Sequence, residues 1–113
     1  MKCLVLKKYR QPLILVNSPA KRLADSEIRV RTSYAGLSFT DRIIQQGLYK
    51  YQRQHLPLPY VPGFEASGTI TEVGKAISNF NVGDTVAVLK TSSCLSSEII
   101  ASPREFNKTS ACD

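Results

Sequence analysis

Ser38 and Asp41 stand three positions apart in the run Gly36-Leu37-Ser38-Phe39-Thr40-Asp41. At that spacing a hydroxyl and a carboxylate close a capping box at the start of a helix. A carboxylate can also serve as an acid, so a cap and a catalytic acid both stand for Asp41 on residue type alone. Tyr49 follows Gly47-Leu48. Its ring could line a cleft or simply pack and expose its hydroxyl. Glu65 lies between Gly63 and Gly68, in a segment expected to turn inward. A carboxylate there is expected to be buried and paired with an arginine, with no catalytic role. His55, the only histidine, falls in a loop after Tyr51-Gln52-Arg53-Gln54 and is assigned no role. Cys3, Cys94 and Cys112 are odd in number and widely spaced, with no Cys-x-x-Cys pair. Neither a disulfide framework nor a cysteine-rich zinc site fits them, and reduced thiols are expected. No Gly-x-Gly-x-x-Gly run follows a strand and opens a helix, so the signature that holds a dinucleotide pyrophosphate is missing.

The elements that must position these residues are mostly strands. Residues 2–7 and 13–16 read as two short strands separated by a turn at Gln11-Pro12. In residues 27–35, apolar Ile28 and Val30 alternate with Arg29 and Arg31, the period of a half-buried strand. Gly36 breaks it. A short helix is predicted over residues 39–46, with Ile43 and Ile44 facing inward and Gly47 in the left-handed position that ends it. The prolines of Leu56-Pro57-Leu58-Pro59-Tyr60-Val61-Pro62-Gly63 forbid helix and make an extended connection. Residues 66–73, 85–89 and 97–101 read as further strands, with turns at Val73-Gly74 and Val82-Gly83-Asp84. Gly68, inside the first of these, predicts a bulge or a close backbone approach. Many short strands with glycine turns imply a barrel or sandwich. Residues 102–113 show no periodicity and are expected to fray.

At 113 residues the chain is one domain with one core. The formal charge is +6, but the basic residues are scattered and do not interleave with aromatics, which argues for a solvated surface and against a nucleic-acid site. No apolar run approaches a membrane span of about 20 residues. The start is too soon basic for a signal peptide, so a cytoplasmic protein is expected, with no sign of membrane association.

Four motifs in order, Tyr34-Ala35-Gly36-Leu37-Ser38-Phe39-Thr40-Asp41, Gly47-Leu48-Tyr49, Val61-Pro62-Gly63-Phe64-Glu65-Ala66-Ser67-Gly68 and Phe80-Asn81-Val82-Gly83-Asp84-Thr85-Val86, carry a resemblance. Over residues 1–101 the chain resembles the zinc-independent quinone oxidoreductase branch of the medium-chain dehydrogenase/reductases, with its nearest likeness in the vesicle amine transport protein group. The resemblance implies a mainly β fold: a GroES-like, partly open β-barrel with one short helix, lining the substrate side of a cleft. The Rossmann domain that would form the other side and bind NADPH is absent from this chain. Residues 102–113 then read as an irregular tail left by truncation.

The cofactor- or substrate-cleft candidates so implied are Ser38, Phe39, Asp41 and Tyr49, with no residue assigned to catalysis. Ser38 occupies a place that is commonly asparagine near the nicotinamide. Ile43 stands where some members carry a tyrosine that touches the cofactor, and it is expected to pack. The zinc-dependent relatives place cysteine and histidine where this chain has Ser38 and Phe64, so no zinc is expected. The expected function is that of an N-terminal domain in an NADPH-dependent quinone or enone oxidoreductase, inactive by itself. A stand-alone GroES-like binding module, or a non-functional short product, remain the other readings. An apolar patch around the helix and final strands is expected where the partner domain would sit.

Overall fold

The alternation around Ile28 becomes strand β3 (Ile28–Gly36), in which Ile28 and Val30 are fully buried while Arg31 is exposed. The computed structural model describes residues 1–48 and 58–108. Before β3, strands β1 (Lys2–Val5) and β2 (Ile14–Asn17) form an antiparallel pair. After it come helix α1 (Phe39–Gln45) and strands β4 (Glu65–Val73), β5 (Thr85–Leu89), β6 (Glu98–Ala101) and β7 (Phe106–Lys108). These strands and β3 make a five-stranded antiparallel sheet in the order β6-β3-β4-β5-β7. Isolated bridges Cys3↔Ser96 and Leu6↔Tyr60 tie the hairpin to the rest, and the sheets do not close. This is the GroES-like, mainly β architecture expected from the sequence.

The core lies on one face of the large sheet: Ile28, Val30, Ile70, Val86, Val88 and Ile99 are all at most 2% exposed. Each such side chain contributes about 1.5–3 kcal/mol by leaving water. On the other face, Arg29 gathers Glu72 on β4 and Glu98 on β6, with Nε and Nη1 donating at 3.0 and 3.1 Å, and its Nη2 donates to the Lys21 carbonyl. Burial lowers the Arg29 pKa, but the two carboxylates outweigh it and the net shift is upward.

Gly68 makes the close approach that its place in a strand predicts. A Cβ there would come within 2.1 Å of the Arg31 carbonyl oxygen. One residue further along, the β3–β4 ladder slips: Thr32 faces Gly68 and Tyr34 faces Ser67, leaving Ser33 as an extra residue. A bulge of this kind re-aims the side chains beyond it. Thr32 stays on the face of Ile28 and Val30, whereas Tyr34 is 78% exposed.

Two expectations need correction. The tail does not fray from Ser102. Residues Pro103–Glu105 form a 3-10 turn and β7 pairs with β5, because Phe106 is a buried core residue whose ring meets Phe80 edge-on at 6.3 Å. Glu65 is neither buried nor among the ion-paired residues described; it is exposed. The buried positions of β4 are Gly68 and Ile70, so the pleat turns Glu65 to the outer face. In α1, Ile44 is buried as expected but Ile43 is only partly so. Tyr49, His55 and Cys112 lie outside the described residues.

Candidate functional site

Leaving the sheet at Gly36, the chain reaches Ser38 in an extended conformation (φ −113°, ψ 165°) and starts α1. The capping box is complete. Ser38 Oγ accepts from the Asp41 backbone N–H at 3.2 Å, and Asp41 Oδ2 accepts from the Ser38 backbone N–H at 2.9 Å. The Ser38 hydroxyl also donates to Asp41 Oδ2 at 3.1 Å. A hydroxyl has one proton and two lone pairs. Its proton and one lone pair are therefore spent on Asp41, and one lone pair remains. Ser38 is exposed, so that lone pair is accessible to an N–H or O–H donor from a ligand.

Asp41 is only 6% exposed, and its second oxygen does more than cap. Oδ1 accepts from the Gly63 backbone N–H at 3.1 Å, across 22 residues of sequence. Gly63 has φ +108°, and a Cβ there would meet the Leu95 backbone nitrogen at 2.7 Å. The Gly63 carbonyl accepts from Cys94 N–H at 3.2 Å. The Asp41 carboxylate thus joins the start of α1 to the loop entering β4, and the Gly63 carbonyl carries the link on to Cys94. Burial pushes the Cys94 thiol up to about 11, with Lys90 pulling the other way.

Ser38 and Asp41 border an open pocket of about 520 Å³. Ser38, Asp41, Arg42 and Gln45 form its polar side, and residues such as Pro12, Leu13, Ile44 and Pro62 its apolar side. The turn carrying Pro12 is held to α1 by Gln45, whose side chain donates to the Gln11 carbonyl at 2.8 Å and whose carbonyl accepts from Arg10 N–H at 2.7 Å. Of the sequence candidates, Ser38 and Asp41 come together here. Phe39, 77% exposed on the first turn of α1, is not part of the pocket wall. Pro12, Leu13 and Pro62 were missed. Their only sequence signal is proline or leucine in loops, whereas a partner for Asp41 beyond its own helix could have been sought at a glycine N–H.

Leu37 on the pocket wall and Tyr34 and Phe39 outside it are each more than 70% exposed. Tyr34 and Leu89 share a shallow depression across the ends of β3, β4 and β5. The helix and a sheet end thus present apolar side chains to solvent, as expected for a patch at this place. Among the described residues, no group of three or more His, Cys, Asp or Glu side chains could hold a metal ion. No helix among them is long and apolar enough to cross a membrane.

Residues 24–109 match the family model of the alcohol dehydrogenase GroES-like domain. The chain is 39% identical over 85 residues to a synaptic vesicle membrane protein VAT-1 homolog of Danio rerio, covering 74% of this chain and 17% of that protein. It is 32% identical over 82 residues to quinone oxidoreductase-like protein 2 of Rattus norvegicus, covering 73% of this chain and 23% of that one. Among solved structures, a quinone oxidoreductase of Escherichia coli complexed with NADPH superposes with a TM-score of 0.84 at 26% identity, over all of this chain and 34% of its own. The matches thus span about a quarter or less of the curated relatives' length.

Proposed function

Because this chain belongs to the alcohol dehydrogenase GroES-like domain family, within the medium-chain dehydrogenase/reductase superfamily, we propose that it is the substrate-side domain of an NADPH-dependent quinone or enone reductase. The observation that carries the reading is the Ser38 hydroxyl, fixed by Asp41 with one lone pair free at the rim of an apolar pocket. The superposition of this whole chain on 34% of an NADPH-complexed quinone oxidoreductase supports it.

The residues present fit one end of such a cofactor only. The described strands pair antiparallel. Although β3 turns into α1, that turn lacks the Gly-x-Gly-x-x-Gly run and the start of α1 is closed by the Ser38–Asp41 capping box, so it does not grip a pyrophosphate. When bound, the nicotinamide supplies the hydride chemistry itself. This chain's share is to accept a hydrogen bond at Ser38 Oγ and to keep Pro12, Leu13, Ile44 and Pro62 as a dry wall beside it. Asp41 holds that wall in register with α1. In this reading zinc has no part: Phe64 has no ligand atom, and the Ser38 proton is committed to Asp41. The 113 residues alone turn over no quinone, and the protein works in the cytoplasm.

The test uses the complete parent protein. Ser38→Ala should raise the KM for NADPH about fivefold, a loss in the range of one neutral hydrogen bond, while Ser38→Thr, which keeps the hydroxyl, stays near wild type. Equal KM values for all three would overturn the role of Ser38. Quinone-dependent NADPH oxidation by the isolated chain would overturn the division of labour.

A further inference from the structure

A second cavity, of about 250 Å³, shares no residue with the Ser38 pocket. It opens where β1 and β6 meet the loop that carries Lys90 to Ser96. Val5, Val61 and Ile99 line it with apolar surface, and Lys21 and Lys90 bring two cations to it. Lys90 Nζ donates to the Ile100 carbonyl at 2.9 Å. That bond fixes the ammonium at the cavity and leaves two of its three N–H donors to give. Lys21 is exposed and belongs to no ion pair among the described residues. The other charged groups are Glu98, whose carboxylate pairs at 3.1 Å with the Arg29 that it shares with Glu72, and the Met1 ammonium, which donates to the Ser18 carbonyl at 2.6 Å, so three cations face one carboxylate. The cavity is therefore electropositive over an apolar floor.

We propose that this cavity binds a small monocarboxylate with a short apolar body, its carboxylate between Lys21 and Lys90 and its chain along Val5 and Ile99. Ligand pockets commonly span roughly 300–1,000 Å³. A cavity of about 250 Å³, just below that range, takes a molecule the size of hexanoate and leaves a long-chain fatty acid outside. A compact anion such as phosphate would satisfy the lysines but gain nothing from the apolar wall, and hexanol would do the reverse.

The test is a titration of the 113-residue chain with hexanoate, hexanol and inorganic phosphate, followed by amide NMR. Hexanoate should give saturable shifts at Lys90, Ile99 and Ile100, and bind more tightly than either comparison molecule. Lys90→Met and Lys21→Gln should each weaken it about tenfold, as for the loss of a hydrogen bond to a charged group. Lys21 is exposed, so its variant reports on binding even if Lys90→Met unfolds. Absence of saturable shifts, equal binding of hexanol or phosphate, or hexanoate affinity unchanged in Lys21→Gln would each overturn the proposal.

Discussion

The two ends of β3 are held by opposite means. At its start, Ile28 and Val30 are wholly enclosed by β4 and β6 neighbours, and the strand is paired on both sides. At its end, past the bulge at Ser33, the strand pairs with β4 alone, Tyr34 and Leu37 face solvent, and beyond Gly36 hydrogen bonds from Ser38 and Gly63 converge on the buried carboxylate of Asp41. Apolar burial is non-directional and spread over many contacts. A buried carboxylate is directional, and losing it strands every donor aimed at it. The first end therefore suits a framework, and the second suits a surface whose geometry matters more than its bulk.

The largest effect should come from the framework. Gly68→Ala puts a Cβ into the Arg31 backbone carbonyl and against the buried Val30 side chain, neither of which can move aside cheaply. It should cost about 4 kcal/mol or more, near the top of what single substitutions do, read as a lowered urea midpoint. A loss below 1 kcal/mol would mean that β3 and β4 separate easily, and the contrast between the two ends would collapse.

Asp41→Ala comes next, at about 3 kcal/mol, since it leaves the N–H groups of Ser38 and Gly63 unpaired. Hydrogen exchange sharpens the comparison. Protection should fall in α1 and near Gly63 while Val30 and Ile70 keep theirs. Uniform loss across the sheet would show that Asp41 supports the whole fold.

The smallest effect is a pH dependence from Cys94, a member of the buried core cluster. Its thiol is raised from an ordinary value near 9 to about 11 by burial. The unfolded chain loses this proton first, so the stabilisation is complete below pH 9 and is lost as pH rises toward 11. A loss of roughly 2 kcal/mol across that window follows from the shift, and Cys94→Ala should flatten the slope. An unchanged slope in the variant would place Cys94 in contact with water.

Much of this was legible in the sequence, but unevenly. The alternation at Ile28 and Val30 fixes one face of β3, and Gly68 within a strand announces the close approach, because both are local rules. Ser38 and Asp41 advertise the helix cap for the same reason. Glu65 was misread because its neighbours Gly63 and Gly68 suggested an inward turn, whereas the pleat counted from Gly68 and Ile70 sends it outward. β7 was missed because a three-residue edge strand has no period to detect, and its existence depends on Phe106 finding Phe80. The bond from Gly63 to Asp41 and both pockets arise between distant segments, which no local pattern encodes. Tyr49, proposed for the cleft, lies outside the described residues.

The strand order has a consequence in time. Ile28 and Val30 pair with Ala101 and Ile99, about seventy positions downstream. At synthesis rates of about 5–20 residues per second, the second edge of β3 reaches its partner roughly 4–15 seconds after the first residues of that strand are made. Until then β3 has only β4 to lean on, and the core stays open along the edge that β6 will cover.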